Sequence, residues 1–93
     1  MVRVIKRDGR EVSFDREKIK DAILAAFKDV DGEITQEAKN KASEIATYIK
    51  DLDEKKIPVE EIQDIVEEKL MASKRKDVAR KFVRYRYKRD LVR

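Results

Sequence analysis

Cysteine and histidine are both absent from this chain, and glycine and proline together supply only three residues. Without thiolates or imidazoles there is no zinc ribbon, no thiol nucleophile, no redox pair and no common transition-metal site. Catalysis would fall to carboxylates or lysines alone. The scarcity of turn-forming residues, beside a charged fraction of 47%, argues against an all-β design and for long helices laced with opposite charges. No apolar run approaches the roughly 18–20 residues that cross a bilayer, and no secretory signal precedes the first apolar alternation. The expectation is a soluble, cytoplasmic chain with no membrane partner.

What is present bounds the rest. Ninety-three residues, 41% of them hydrophobic, make one small domain over 1–93 with a single core. The net charge of +4 conceals an asymmetry: residues 74–93 hold ten Lys/Arg against two acids, and residues 1–73 hold fourteen against eighteen. The terminal segment is therefore strongly basic. Such a segment suits an anionic ligand, a nucleic acid, or a solvated face against an acidic neighbour.

Val2 and Val4, then Val12 and Phe14, alternate on either side of Arg7-Asp8-Gly9-Arg10, and Asp-Gly between alternating apolar residues predicts a β-hairpin. Asp15 can cap a helix over about 16–29, whose Ile19, Ala22, Ile23, Ala26, Phe27 and Val30 recur at helical steps until Asp31-Gly32. Thr35 can cap a second, whose stripe of Ala38, Ala42, Ile45, Ala46 and Ile49 is narrow enough for close approach. Asp51 to Lys56 reads as a charged loop, Ile57 as a short strand, and Pro58 as the start of a third helix with Val59, Ile62, Ile65, Val66 and Leu70 on its apolar face. Ser73 to Asp77 reads as a connection before a fourth helix marked by Val78, Ala79, Phe82 and Val83, with Tyr85 and Tyr87 on its flanks. These elements assemble most simply as a small helical bundle capped at one end by the hairpin.

The hairpin corner gathers cations. Lys6 at the end of the first strand and Lys18 in the first turn of the first helix, twelve positions apart, can converge where the helix's unpartnered N–H groups add partial positive charge. A phosphate group suits such a corner.

Four separated segments then carry a resemblance across nearly the whole chain: Val4-Ile5-Lys6-Arg7-Asp8-Gly9-Arg10; Phe14-Asp15 with Lys18-Ile19; Val59-Glu60-Glu61-Ile62-Gln63-Asp64; and Val78-Ala79-Arg80 leading to Tyr85-Arg86. Together they resemble the ATP-cone domain, the N-terminal allosteric module of many ribonucleotide reductases and the effector domain of the zinc-ribbon repressor of reductase genes. Leu70-Met71-Ala72-Ser73 and Lys76-Asp77-Val78-Ala79 are most similar to cones of the anaerobic, class III enzymes. The resemblance implies an α+β, mostly helical fold, in which a four-helix bundle is capped by a small three-stranded sheet made of the hairpin and a short strand near Ile57. It further implies ATP or dATP bound as an effector between sheet and bundle, neither being consumed, with Mg²⁺ travelling on the triphosphate.

By the same resemblance, Lys6, Arg7, Lys18 and Lys88 match positions at the phosphates, with Arg84 or Lys81 as substitutes for Lys88. Each has a plainer reading: Lys6 blunts a sheet edge, Arg7 pairs with Asp8 in the turn, Lys18 is screened by Glu17 or Asp21, and Lys88 is one base among many. Val12, Phe14 and Ile19 match apolar lid positions, and Asp15 a polar position near the ribose whose first duty is helix capping. Some family members carry Glu where this chain has Val12, a departure that bears on one sugar contact and on the preference for ATP against dATP. Val59 and Gln63 match positions at the adenine, the valine against the ring and the glutamine amide able both to donate and to accept. Glu60, Glu61 and Asp64 read as acids favouring a helix N-terminus rather than metal ligands. No catalytic or metal-ligating residue is singled out.

The leading expectation is thus a non-catalytic nucleotide sensor. Its partners would be ATP or dATP, a reductase catalytic domain, and further copies of itself in a nucleotide-dependent oligomer. The alternative is a small basic nucleic-acid-binding protein using the terminal segment with Tyr85 and Tyr87 as stacking groups, which leaves the N-terminal segments unexplained. A third class, a dimerisation module, rests on the small-residue stripe alone.

Overall fold

The computed structural model describes residues 2–52 and 54–92, the side chains of 87–92 excepted. Chain order is β1 (Arg3–Ile5), β2 (Glu11–Ser13), α1 (Arg16–Asp31), α2 (Gln36–Lys50), β3 (Lys56–Pro58), α3 (Val59–Ala72) and α4 (Lys76–Val92). Four helices and a three-stranded sheet make the α+β, mostly helical architecture that the sequence patterns predict.

The hairpin is closed by its own turn chemistry. Gly9 takes φ 90°, a left-handed backbone that a side chain would strain, and its N–H donates to the Lys6 carbonyl at 2.9 Å. Asp8 accepts from the Arg10 backbone N–H at 3.1 Å and from its guanidinium at 2.7 Å. These contacts hold the Asp8 carboxyl below the ordinary range, the backbone N–H of Arg10 contributing most.

Sheet order is β2-β1-β3, with β1 antiparallel to β2 and parallel to β3. Val4 stands opposite both Val12 and Ile57, so one face turns Val4 and Ile57 into the core. The other carries Arg3, Glu11 and Lys56, where Glu11 pairs with Arg3 at 3.7 Å and with Lys56 at 3.2 Å. Charges of this kind on the outer face of a three-stranded sheet discourage edge pairing. Pro58 closes the edge strand β3 and stands immediately before α3, one place earlier than the first helical position expected for it.

Each predicted cap is present. Asp15 accepts from the Glu17 N–H at 3.0 Å and Thr35 from the Ala38 N–H at 3.2 Å. Gly32, at φ 79°, ends α1 by donating to the Lys28 carbonyl, which carries the helix to Asp31, two residues past the predicted end. α4 also starts earlier than predicted: the Ala79 N–H donates to the Arg75 carbonyl, so Lys76 and Asp77 belong to its first turn, where an acid is favoured, and not to the connection.

Packing follows the stripes. Ala38, Ala42, Ile45, Ala46 and Ile49 of α2 are essentially inaccessible, and the small residues let α1 seat Ile23, Ala26 and Phe27 against them. Ile62, Val66 and Leu70 of α3 and Val78, Ala79 and Phe82 of α4 complete one cluster with Val2, Val4 and Ile57 beneath the sheet. No polar or charged residue is buried among the described residues. None of the described helices is long and apolar enough to cross a membrane.

Candidate functional site

Between the hairpin and the helix ends lies a cavity of about 830 Å³. The strand-to-turn junction supplies Lys6 and Arg7, β2 supplies Val12, and the β2–α1 connection supplies Phe14 and Asp15. The first turn of α1 adds Lys18 and Ile19, and the opening turns of α3 add Val59 and Gln63. Nine of the ten residues singled out from the sequence therefore line one space, though Lys6 and Gln63 stand more than half the chain apart. The tenth, Lys88, lies outside the described side chains. Arg84 and Lys81, its named substitutes, are not among the lining residues, whereas Arg86 and Tyr85 are. Their steps of three and four from Phe82, which also lines the cavity, put them on one face of α4. That spacing was the signal by which Arg86 could have been found.

The cations are not equivalent. Lys6 and Lys18 form no ion pair among the described residues. Glu17, a proposed screen for Lys18, lies instead 3.9 Å from Arg16 and 3.8 Å from Lys20. Asp8 pairs with Arg10 and not with Arg7, contrary to the plainer reading of the turn, because the short turn folds Arg10 back over the carboxylate. Arg7 meets Glu60 of α3 at 3.5 Å. Arg86 is held through Nη1 by Asp64 at 2.7 Å and Glu67 at 3.0 Å. Arg16 also borders the cavity, but its guanidinium is turned onto α2, donating to Ser43 at 2.8 Å and Thr47 at 3.0 Å.

Two details bear on what could bind. The Asp15 carboxylate already occupies a first-turn amide of α1, so an anion entering this corner depends on side chains more than on the helix terminus. The Oε1 of Gln63 is buried and has no hydrogen-bond partner among the described residues. An orphaned acceptor of that kind is costly unless a ligand donor meets it. Around these polar groups Val12, Phe14, Ile19 and Val59 are partly buried and packed on the core, giving the cavity apolar walls. Among the described residues no group of three or more acids is placed to hold a metal ion.

A family profile described as the ATP cone domain matches residues 2–91. The chain belongs to the ATP-cone domain family. Its relatives include the vitamin B12-dependent ribonucleoside-diphosphate reductase of Thermoplasma acidophilum, 39% identical over 95 residues, covering 97% of this chain and 12% of the relative. The anaerobic ribonucleoside-triphosphate reductase of Haemophilus influenzae is 38% identical over 90 residues, covering 97% of this chain and 13% of the enzyme. The ribonucleoside-diphosphate reductase subunit alpha of Chlamydia muridarum is 35% identical over 94 residues, covering 89% and 9%. This ATP cone thus spans about an eighth of the length of the first two reductases.

Proposed function

We propose that this ATP cone is a single regulatory domain over residues 1–93 that binds ATP or dATP without consuming it and reports the bound nucleotide through subunit association, as part of or beside a reductase catalytic domain. The observation that carries the reading is the convergence on one cavity of the cations Lys6, Arg7 and Lys18 with the Gln63 acceptor, which has no partner among the described residues. In this reading the lysines and Arg7 take the phosphates. Val12, Phe14, Asp15 and Ile19 form the lid over the ribose, Val59 packs on the adenine ring, and Gln63 pairs with its polar edge. The adenine amino group is a donor suited to Oε1. Side chains placed to bind and orient a nucleotide suit a sensor.

Isothermal titration calorimetry with ATP, dATP and GTP tests it, with size-exclusion chromatography in each nucleotide reporting association. Adenine-selective binding at one site class is the expected result. Equal heats for all three nucleotides would remove Gln63 from the adenine. Salt-sensitive binding to DNA or RNA, with no response to ATP, would favour the nucleic-acid alternative instead.

A further inference from the structure

The acids of α3 facing the cavity cations are spaced four and three apart, at Glu60, Asp64 and Glu67, which sets them on one face of the helix. They do two different things. Asp64 and Glu67 grip Arg86 at 2.7 and 3.0 Å, and that arginine is only 19% exposed. Glu60 stands 3.5 Å from Arg7, too long for a good hydrogen bond, with the two side chains 43% and 33% exposed. The first arrangement fixes a guanidinium in place; the second is a loose ion pair between solvated groups.

We propose that Glu60 is a built-in competitor for the polyphosphate: its carboxylate is a resident counterion of Arg7, and an incoming phosphate displaces it. The inference rests on the nucleotide-binding reading of this cavity and adds a tuning element to it. Lys6 and Lys18, with no ion pair among the described residues, are the first points of contact. Arg7 is gained by displacing the Glu60 carboxylate. Release of Glu60 is easy because the group sits in the first turn of α3, where helix N–H groups still favour a carboxylate and Pro58 provides no side-chain cap. The exchange weakens polyphosphate binding relative to a site with a free Arg7, and it acts on the phosphates while leaving the adenine end untouched.

Calorimetry with ATP, ADP, AMP and adenosine on the wild-type chain, Glu60→Gln and Glu61→Gln tests this. Glu61→Gln removes the same charge from the neighbouring position, where no ion pair forms among the described residues. Glu60→Gln is expected to bind ATP about two- to fivefold more tightly, the size of a surface ion pair, with a smaller gain for ADP, less for AMP and none for adenosine. An ATP affinity that is unchanged or weaker in Glu60→Gln, an equal gain in Glu61→Gln, or an equal gain for adenosine would each overturn the competitor role while leaving nucleotide binding intact. Failure of the wild-type chain to bind any of the four would overturn the binding reading itself.

Discussion

Arg75, in the α3–α4 connection, and Asp31, the last residue of α1, stand 44 residues apart and share a two-pronged contact, Nη2 to Oδ1 at 2.5 Å and Nη1 to Oδ2 at 3.1 Å. The same guanidinium reaches Glu37 of α2 at 2.7 Å and Asp77 of α4 at 3.2 Å, and lies 5.5 Å from the centre of the Phe27 ring. One side chain thus joins three helices at the end of α1 away from the cavity.

Replacing Arg75 with Met removes every pair at once and leaves three carboxylates near one another. Although surface pairs are individually weak, a forked contact in a network with only 21% of the arginine exposed is worth more than an isolated one. The variant is expected to lose about 1–2 kcal/mol, seen as a thermal midpoint lower by roughly 5–15 °C in a domain of this size. ATP affinity should stay within about twofold of wild type. A matching loss of affinity would mean that this end of the bundle is coupled to the site.

The same network gives an acid limb to stability. The Arg75 guanidinium, and after it the Val78 N–H, hold the Asp77 carboxyl below its ordinary value, while Asp31 foremost keeps Arg75 protonated throughout. A carboxyl depressed in the folded state contributes stability above its unfolded value of about 3.9 and loses it as pH falls through the folded value. Urea unfolding is expected to show stability level from pH 7 to about 5 and falling below about 4, with a shallower fall in Arg75→Met. Asp8, lowered by Arg10, contributes to the part that remains. Parallel acid limbs in the two proteins would refute the assignment to Arg75.

Such a hub could not be read from sequence, and the reason is physical. The hairpin, the caps at Asp15 and Thr35 and the glycine stop at Gly32 were legible because a few neighbouring residues determine them. Parallel pairing of Val4 with Ile57 was half legible: the strand could be marked, but its partner is chosen by the closed chain. Asp31, Glu37 and Arg75 carry no local pattern announcing that they meet. In the cavity, the family resemblance singled out nine lining residues, whereas Arg86 was given no role and its neighbours Arg84 and Lys81, named instead, are not among the lining residues.

Lys6 and Lys18 bear the phosphate part of the proposal. Charge-assisted hydrogen bonds are worth about 1.5–3 kcal/mol each, so each alanine variant should weaken ATP binding about tenfold or more and the double variant at least about a hundredfold. Since neither lysine forms an ion pair among the described residues, the thermal midpoint should move by no more than about 2 °C. Undiminished ATP binding in Lys6→Ala/Lys18→Ala would remove the phosphates from this corner.

Gln63 makes the opposite demand on stability and binding, which is what separates a ligand contact from a packing residue. Its Oε1 is buried with no partner among the described residues, and an acceptor stripped of water in this way costs about 1–3 kcal/mol. Leucine has nearly the same volume and no polar atom, so Gln63→Leu should raise the thermal midpoint by a few degrees. If the oxygen is held there to accept from the adenine amino group, the same change should weaken ATP binding about tenfold without altering the response to tripolyphosphate, which has no base. Thermal unfolding and calorimetry on one preparation give both numbers. A more stable protein that binds ATP less well identifies Gln63 as a group kept for its ligand. A less stable protein with unchanged ATP affinity makes it part of the wall.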